Sequence, residues 1–129
     1  MVLSEADGLL RIAIADLDTA IASSDPAVFR EGAWGFWLQQ SVEKALKAWL
    51  VHLGEMPPLT HDLNRLFRLL EQQAVDTGRL RSLGQLTLYA VQVRYDADPQ
   101  PLGLDRGAFQ NQVRQLIEHI ERIMRQAQS

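Results

Sequence analysis

The chain contains no cysteine. Disulfides, thiolate zinc sites and cysteine nucleophiles are therefore excluded, and a reducing compartment suits the composition. No unbroken apolar run reaches membrane-spanning length. The opening "MVLSEADGLLRIAIADLD" lacks a basic n-region, and Asp16 and Asp18 interrupt its apolar part. No signal peptide is expected from such a start, and the expected location is cytoplasmic. A charge excess of one sign is also missing: 13 basic residues face 16 acidic ones, for a net charge of −3. That balance excludes a strongly basic nucleic-acid sponge. It leaves room for a local basic cleft, because phosphate contacts need only a few well-placed cations. The imbalance sits at the start, where Arg11 stands against Glu5, Asp7, Asp16, Asp18 and Asp25. His52, His61 and His119 lack the spacing of a metal triad, and no acid-rich cluster joins them. Gly32 and Gly35 follow no strand, so a glycine-rich phosphate loop is absent. Neither a metal nor a cofactor is expected.

What remains is helical periodicity over a length of 129 residues, which predicts one domain spanning 1–129. An apolar share of 47% can fill a core at this size. Ser4 is placed to cap a first helix, whose stripe reads Leu10, Ile14, Leu17 and Ile21. Asp25 and Pro26 are suited to open a second helix that runs to Gly54, a C′ glycine. Gly32 and Gly35 inside it are small enough to admit a close neighbour or a bend. Its apolar stripe passes through Phe36, Val42, Ala45, Trp49 and Leu53, and Glu43–Lys47 forms an i,i+4 pair. After Pro57 and Pro58, Thr60 can cap a third helix that buries Leu63, Leu66, Phe67 and Leu70. A fourth helix is expected from about 80 to 94, with Leu83, Leu86, Ala90 and Val93 inward. The last repeats Phe109, Val113, Leu116, Ile120 and Ile123 at seam spacing. The fold class is all-α, an up-and-down bundle of four to five helices. Trp34, Trp37 and Trp49 could stack on bases, but at helical spacing in an apolar segment they read rather as core or dimer interface, and with the seam any exposed ones suggest a homodimer.

Chemistry concentrates in the second helix. Gln40, Lys44 and Lys47 follow at steps of four and three, so they share one face. That face is either a solvated surface laced with ion pairs or one wall of a polar groove. "FWLQQSVEKALKAWLVHLG" followed by "PLTHDLNRLFRLL" resembles the HEPN domain family, whose members carry a Q-Q-x-x-E-K-x-L-K-A helix and then t-H-D-L. Here those positions are Gln39, Gln40, Glu43, Lys44, Leu46, Lys47, Ala48, Thr60, His61, Asp62 and Leu63. The family's R-Y-P-like step reads Arg94-Tyr95-Asp96, without the proline. The resemblance implies a prokaryotic helical bundle that often accompanies a nucleotidyltransferase-like antitoxin. Some members are metal-independent endoribonucleases that use an arginine followed four to six residues later by a histidine.

No histidine follows Arg94 at that distance. Arg114 and His119 have the spacing but lie within the last helix, about 140° apart around its axis, a poor geometry for joint work on one phosphate. His61 beside Asp62 is a weak candidate: held by a carboxylate, it would titrate near neutrality. With Arg94 or Lys44 it would supply the base and the cation that RNA cleavage needs; the plainer reading has His61 capping the loop. The expectation is a protein that binds a nucleotide, RNA or an antitoxin partner through Gln40, Lys44, Lys47, His61, Arg94 and Tyr95. The alternative is an endoribonuclease toxin built on a non-standard His61–Arg94 pair.

Overall fold

The computed structural model describes residues 4–90, 97 and 100–127. Among them are four α-helices, one 3-10 helix and no strand: α1 (Glu5–Ala22), α2 (Glu31–His52), α3 (Leu63–Gln72), the 3-10 helix Gly78–Leu88, and α4 (Arg106–Gln126). The all-α bundle expected from periodicity is present. Val93, Arg94 and Tyr95 lie outside the described residues.

α2 is the central rod. Leu38, Val42, Ala45, Leu46, Ala48 and Leu50 are fully buried along it, and α1, α3, the 3-10 helix and α4 all pack against it. α1 lies on α2 most extensively. Its buried stripe is Ala6, Leu10, Ala13, Leu17 and Ala20, whereas Ile14 is exposed and Ile21 only partly covered. The expected Ile14 stripe is therefore rotated. Small residues win that face because the two helices approach closely enough for Ser41 Oγ to donate to the Ala13 carbonyl at 2.7 Å.

α2 also starts later than Asp25. Asp25 instead closes a turn, accepting from Ala27 N through its side chain and from Phe29 N through its carbonyl. Arg30 then takes the cap position with no side-chain cap. Gly35 meets the ring of Tyr89, and a Cβ there would sit 2.5 Å from it. The close-neighbour use expected of this glycine is what occurs. Asp62, not Thr60, caps α3 by accepting from Asn64 N, while Thr60 Oγ1 accepts from Asp62 N. Leu63, Leu66, Phe67 and Leu70 are all buried as expected.

Over Gly78–Leu88 the fourth segment is wound as a 3-10 helix, and Tyr89 and Ala90 are α-helical, with Leu83, Leu86 and Ala90 buried as expected. Its inward residues are Leu80, Leu83, Leu86 and Tyr89, at steps of three. A helix with three residues per turn puts that spacing on one line, where an α-helix would spiral it away. α4 buries Val113, Leu116, Ile117, Ile120 and Met124 in the chain's own core. The stripe read as a dimer seam is consumed inside the molecule. Trp34 is fully buried and Trp49 is 4% exposed, so two of the three tryptophans are core residues.

Candidate functional site

α2 leaves one strip open. Phe36, Trp37, Gln40, Lys44, Lys47 and Val51 are partly or fully accessible, while its other residues between Trp34 and Leu50 are buried. A helix packed on nearly all sides has one free face, and here that face is polar at its centre. Gln40, Lys44 and Lys47 share it, as their spacing predicts.

Beneath that strip lies Glu43, with no exposed side-chain surface. Lys44 Nζ donates to its Oε2 at 2.8 Å and Lys47 Nζ at 3.1 Å. On the other oxygen, His61 Nδ1 lies 2.7 Å away and Gln39 Nε2 donates at 3.3 Å. Gln39 Nε2 also donates to the His61 carbonyl at 3.0 Å, and Gln40 Nε2 donates to Gln39 Oε1 at 2.7 Å. Burial alone would raise the Glu43 carboxyl. The hydrogen bonds from Lys44 and His61, the Lys44 charge and the Lys47 bond overcome that and lower it to about 2. The residue is thus a carboxylate at neutral pH, with both oxygens fully engaged.

Asp16 of α1 completes the cluster. Burial pushes its carboxyl above the usual range, Lys44 draws it back and the Glu43 charge raises it again. Asp16 and Glu43 therefore balance Lys44 and Lys47, and the group is neutral unless His61 is protonated.

The structure brings Gln40, Lys44, Lys47 and His61 together. Arg94 and Tyr95 fall outside the described residues, so their convergence with this cluster stays a proposal. The carboxylate that holds His61 is Glu43, not Asp62, whose side chain is spent on the α3 cap. The two residues missing from the expected site are Glu43 and Gln39. Their signal was available: Gln39, Glu43, Leu46 and Leu50 recur at steps of four, three and four, a buried stripe with a polar pair in it. The Lys47 spacing disguised Glu43 as half of a surface ion pair.

Chemically, the arrangement fixes a histidine. A carboxylate on Nδ1 favours the tautomer with its proton there and leaves the Nε2 lone pair free. The His61 side chain is 59% exposed, so that nitrogen has access to solvent. Among the described residues, no group of three or more His, Asp or Glu side chains is arranged to hold a metal ion. Arg114 and His119 are exposed on α4, and His119 rests edge-on against Trp49 at 5.4 Å.

Two cavities lie elsewhere. One of about 350 Å³ is lined by Trp49, Arg79, His119 and Arg122, with Asp76 and Glu118 among the cations. Another of about 470 Å³ includes Arg30, Glu31, Tyr89 and Arg106. Its polar groups are largely spent. Glu31 accepts from Tyr89 Oη and from the backbone N–H groups of Leu102, Gly103 and Leu104. Arg106 donates to the Ser23 and Ser24 carbonyls. The α2 cluster lines neither cavity; it is an accessible polar strip on the helix surface.

A helical bundle built on a central rod, with a buried carboxylate bracing two lysines and a histidine at its one open strip, defines the class. The residues of that brace are those of the Q-Q-x-x-E-K-x-L-K and T-H-D-L motifs. The HEPN domain model matches residues 6–129, and the chain belongs to the HEPN domain family. No curated protein and no solved structure matches the chain. No helix among the described residues is long and apolar enough to cross a membrane.

Proposed function

We propose that the open strip of α2 binds the phosphate of a nucleotide or RNA through Gln40, Lys44, Lys47 and, when Nε2 is also protonated, His61. Arg94 and Tyr95 are proposed as further contacts. The observation that carries this reading is the Glu43 brace. A fully buried carboxylate is costly unless each lone pair is met, and here those partners are the groups a phosphate would use. Holding them in place reduces the entropy lost when a ligand docks. In cells the partner proposed from the family is a nucleotidyltransferase-like antitoxin. A homodimer is proposed on the same basis and draws nothing from the α4 stripe. Fluorescence anisotropy with labelled RNA tests the binding: Lys44→Ala and His61→Ala are each expected to weaken it about tenfold. Unchanged affinity in both variants would refute the site.

One observation favours a second reading. Glu43 on His61 Nδ1 at 2.7 Å leaves Nε2 free as a base toward a ribose 2′-hydroxyl, with Lys44 or Arg94 as the cation. Labelled RNA incubated in EDTA separates the two. Cutting by the wild type that is lost in His61→Ala and Arg94→Ala establishes a ribonuclease; binding without cutting leaves the first reading.

A further inference from the structure

Trp37 belongs to the same strip as the phosphate-binding groups. Trp37, Gln40, Lys44 and Lys47 follow at steps of three, four and three, which keeps them on one face of α2. The other two tryptophans are sequestered. Trp34 is fully buried, with Nε1 donating to Gln110 Oε1 at 3.0 Å, and Trp49 is packed against His119. Trp37 is 38% exposed. Its ring is steadied by Phe36, edge to face at a centroid distance of 5.3 Å and 77°. An aromatic ring held beside a polar strip is a platform for a base.

We propose that the open strip of α2 takes a short single-stranded nucleic acid, with one unpaired base stacked on Trp37 and a neighbouring phosphate at Lys44 and His61. The proposal rests on the phosphate-binding reading above and adds the class of ligand. Charge decides against a duplex. With Asp16 and Glu43 balancing Lys44 and Lys47, the cluster offers a polyanion little net attraction. A duplex, whose bases are already stacked, would have only its phosphates to give. An unpaired base adds a stacking contact that needs no net charge. Seven residues of α-helix separate Trp37 from Lys44 by about 10 Å along the axis, the scale of a base and a phosphate nearby on one strand.

The protein carries its own reporter, since Trp37 is the tryptophan a ligand on the strip can reach. The experiment titrates an RNA decamer, as single strand and as duplex, into the full chain. Tryptophan emission and the anisotropy of a fluorescein end-label are followed together. The single strand is expected to quench emission and to bind at least tenfold more tightly than the duplex. Trp37→Phe should abolish the ligand-dependent quench and weaken binding roughly tenfold, with circular dichroism and melting unchanged. Lys44→Ala should weaken binding yet keep the quench at saturation. One or two phosphate contacts give a shallow salt dependence, a log–log slope of about −0.7 to −1.4. Binding by anisotropy with no quench and no effect of Trp37→Phe would overturn the stacking proposal while leaving the phosphate-binding reading standing. Preference for the duplex, or a slope steeper than about −3, would overturn it equally. No anisotropy change with either RNA would sink the phosphate-binding reading and this proposal together.

Discussion

Glu43 has no contact with water and four hydrogen-bonding neighbours. Its ionisation is tied to folding. The folded carboxyl lies near 2 against an ordinary 4.5, so its contribution is present above about pH 4.5 and is lost as pH falls toward 2. Glu43→Gln is expected to lower stability by about 2–3 kcal/mol at pH 7, because two lysines and a histidine lose their counter-charge. The gap between variant and wild type should narrow as pH drops below 4, as urea unfolding at pH 7 and pH 3 would show. A gap that stays constant would contradict the buried carboxylate. Asp16 shifts the other way: burial raises its carboxyl, and the Lys44 charge does not overcome that. Asp16→Asn removes the acid facing Lys44 and leaves the cluster at +1. RNA affinity is expected to rise several-fold, read by anisotropy at low salt; a fall would show that Asp16 helps to hold the ligand. The cations Lys44 and Lys47 were legible in the sequence because helical spacing alone puts them on one face. Glu43 was legible only through its stripe with Gln39, Leu46 and Leu50, because its spacing to Lys47 describes a surface ion pair and a buried one alike.

Helix ends show a similar division. α2 closes in a Schellman turn, with Glu55 N on the Leu50 carbonyl, Gly54 N on that of Val51, and Gly54 at φ 89°. α3 closes in the same motif, with Val75 N on Leu70 and Ala74 N on Glu71, but the left-handed position is Ala74 at φ 63°. Glycine advertises the first turn in the sequence; alanine hides the second. Ala74→Gly is therefore expected to stabilise the fold by about 0.5–1 kcal/mol, seen as a rise in melting temperature. A loss would mean that the backbone there is not strained. Gly35→Ala runs the other way. Its Cβ would strike the Tyr89 ring, which is buried and tied to Glu31, at 2.5 Å. A loss of about 1–3 kcal/mol is expected by chemical denaturation, and a neutral result would show that the ring can shift. The fourth segment went astray for a related reason. Leu80, Leu83, Leu86 and Tyr89 repeat at three, but Leu86 and Ala90, both buried, are a four-step apart, so spacing alone does not separate the 3-10 stretch from an α-helix.

For the molecule as a whole, the all-α bundle was readable from periodicity, and its family from two short motifs at the right separation. Which apolar stripe faces which neighbour was less so. The α4 stripe suits a seam between chains as well as the core it fills, and Ile14 yields to alanine because α1 and α2 approach closely. The placement of function is the central claim: the proposed ligand is assigned to the open strip of α2, not to the cavities beside Arg79 or Arg106. Backbone amide chemical shifts of ¹⁵N-labelled protein, followed as a single-stranded RNA decamer is added, test it most directly. The largest changes are predicted at Trp37–Lys47 and Leu59–Asp62. Changes confined to residues around Arg79, His119 and Arg122, or around Arg30 and Arg106, would contradict the account.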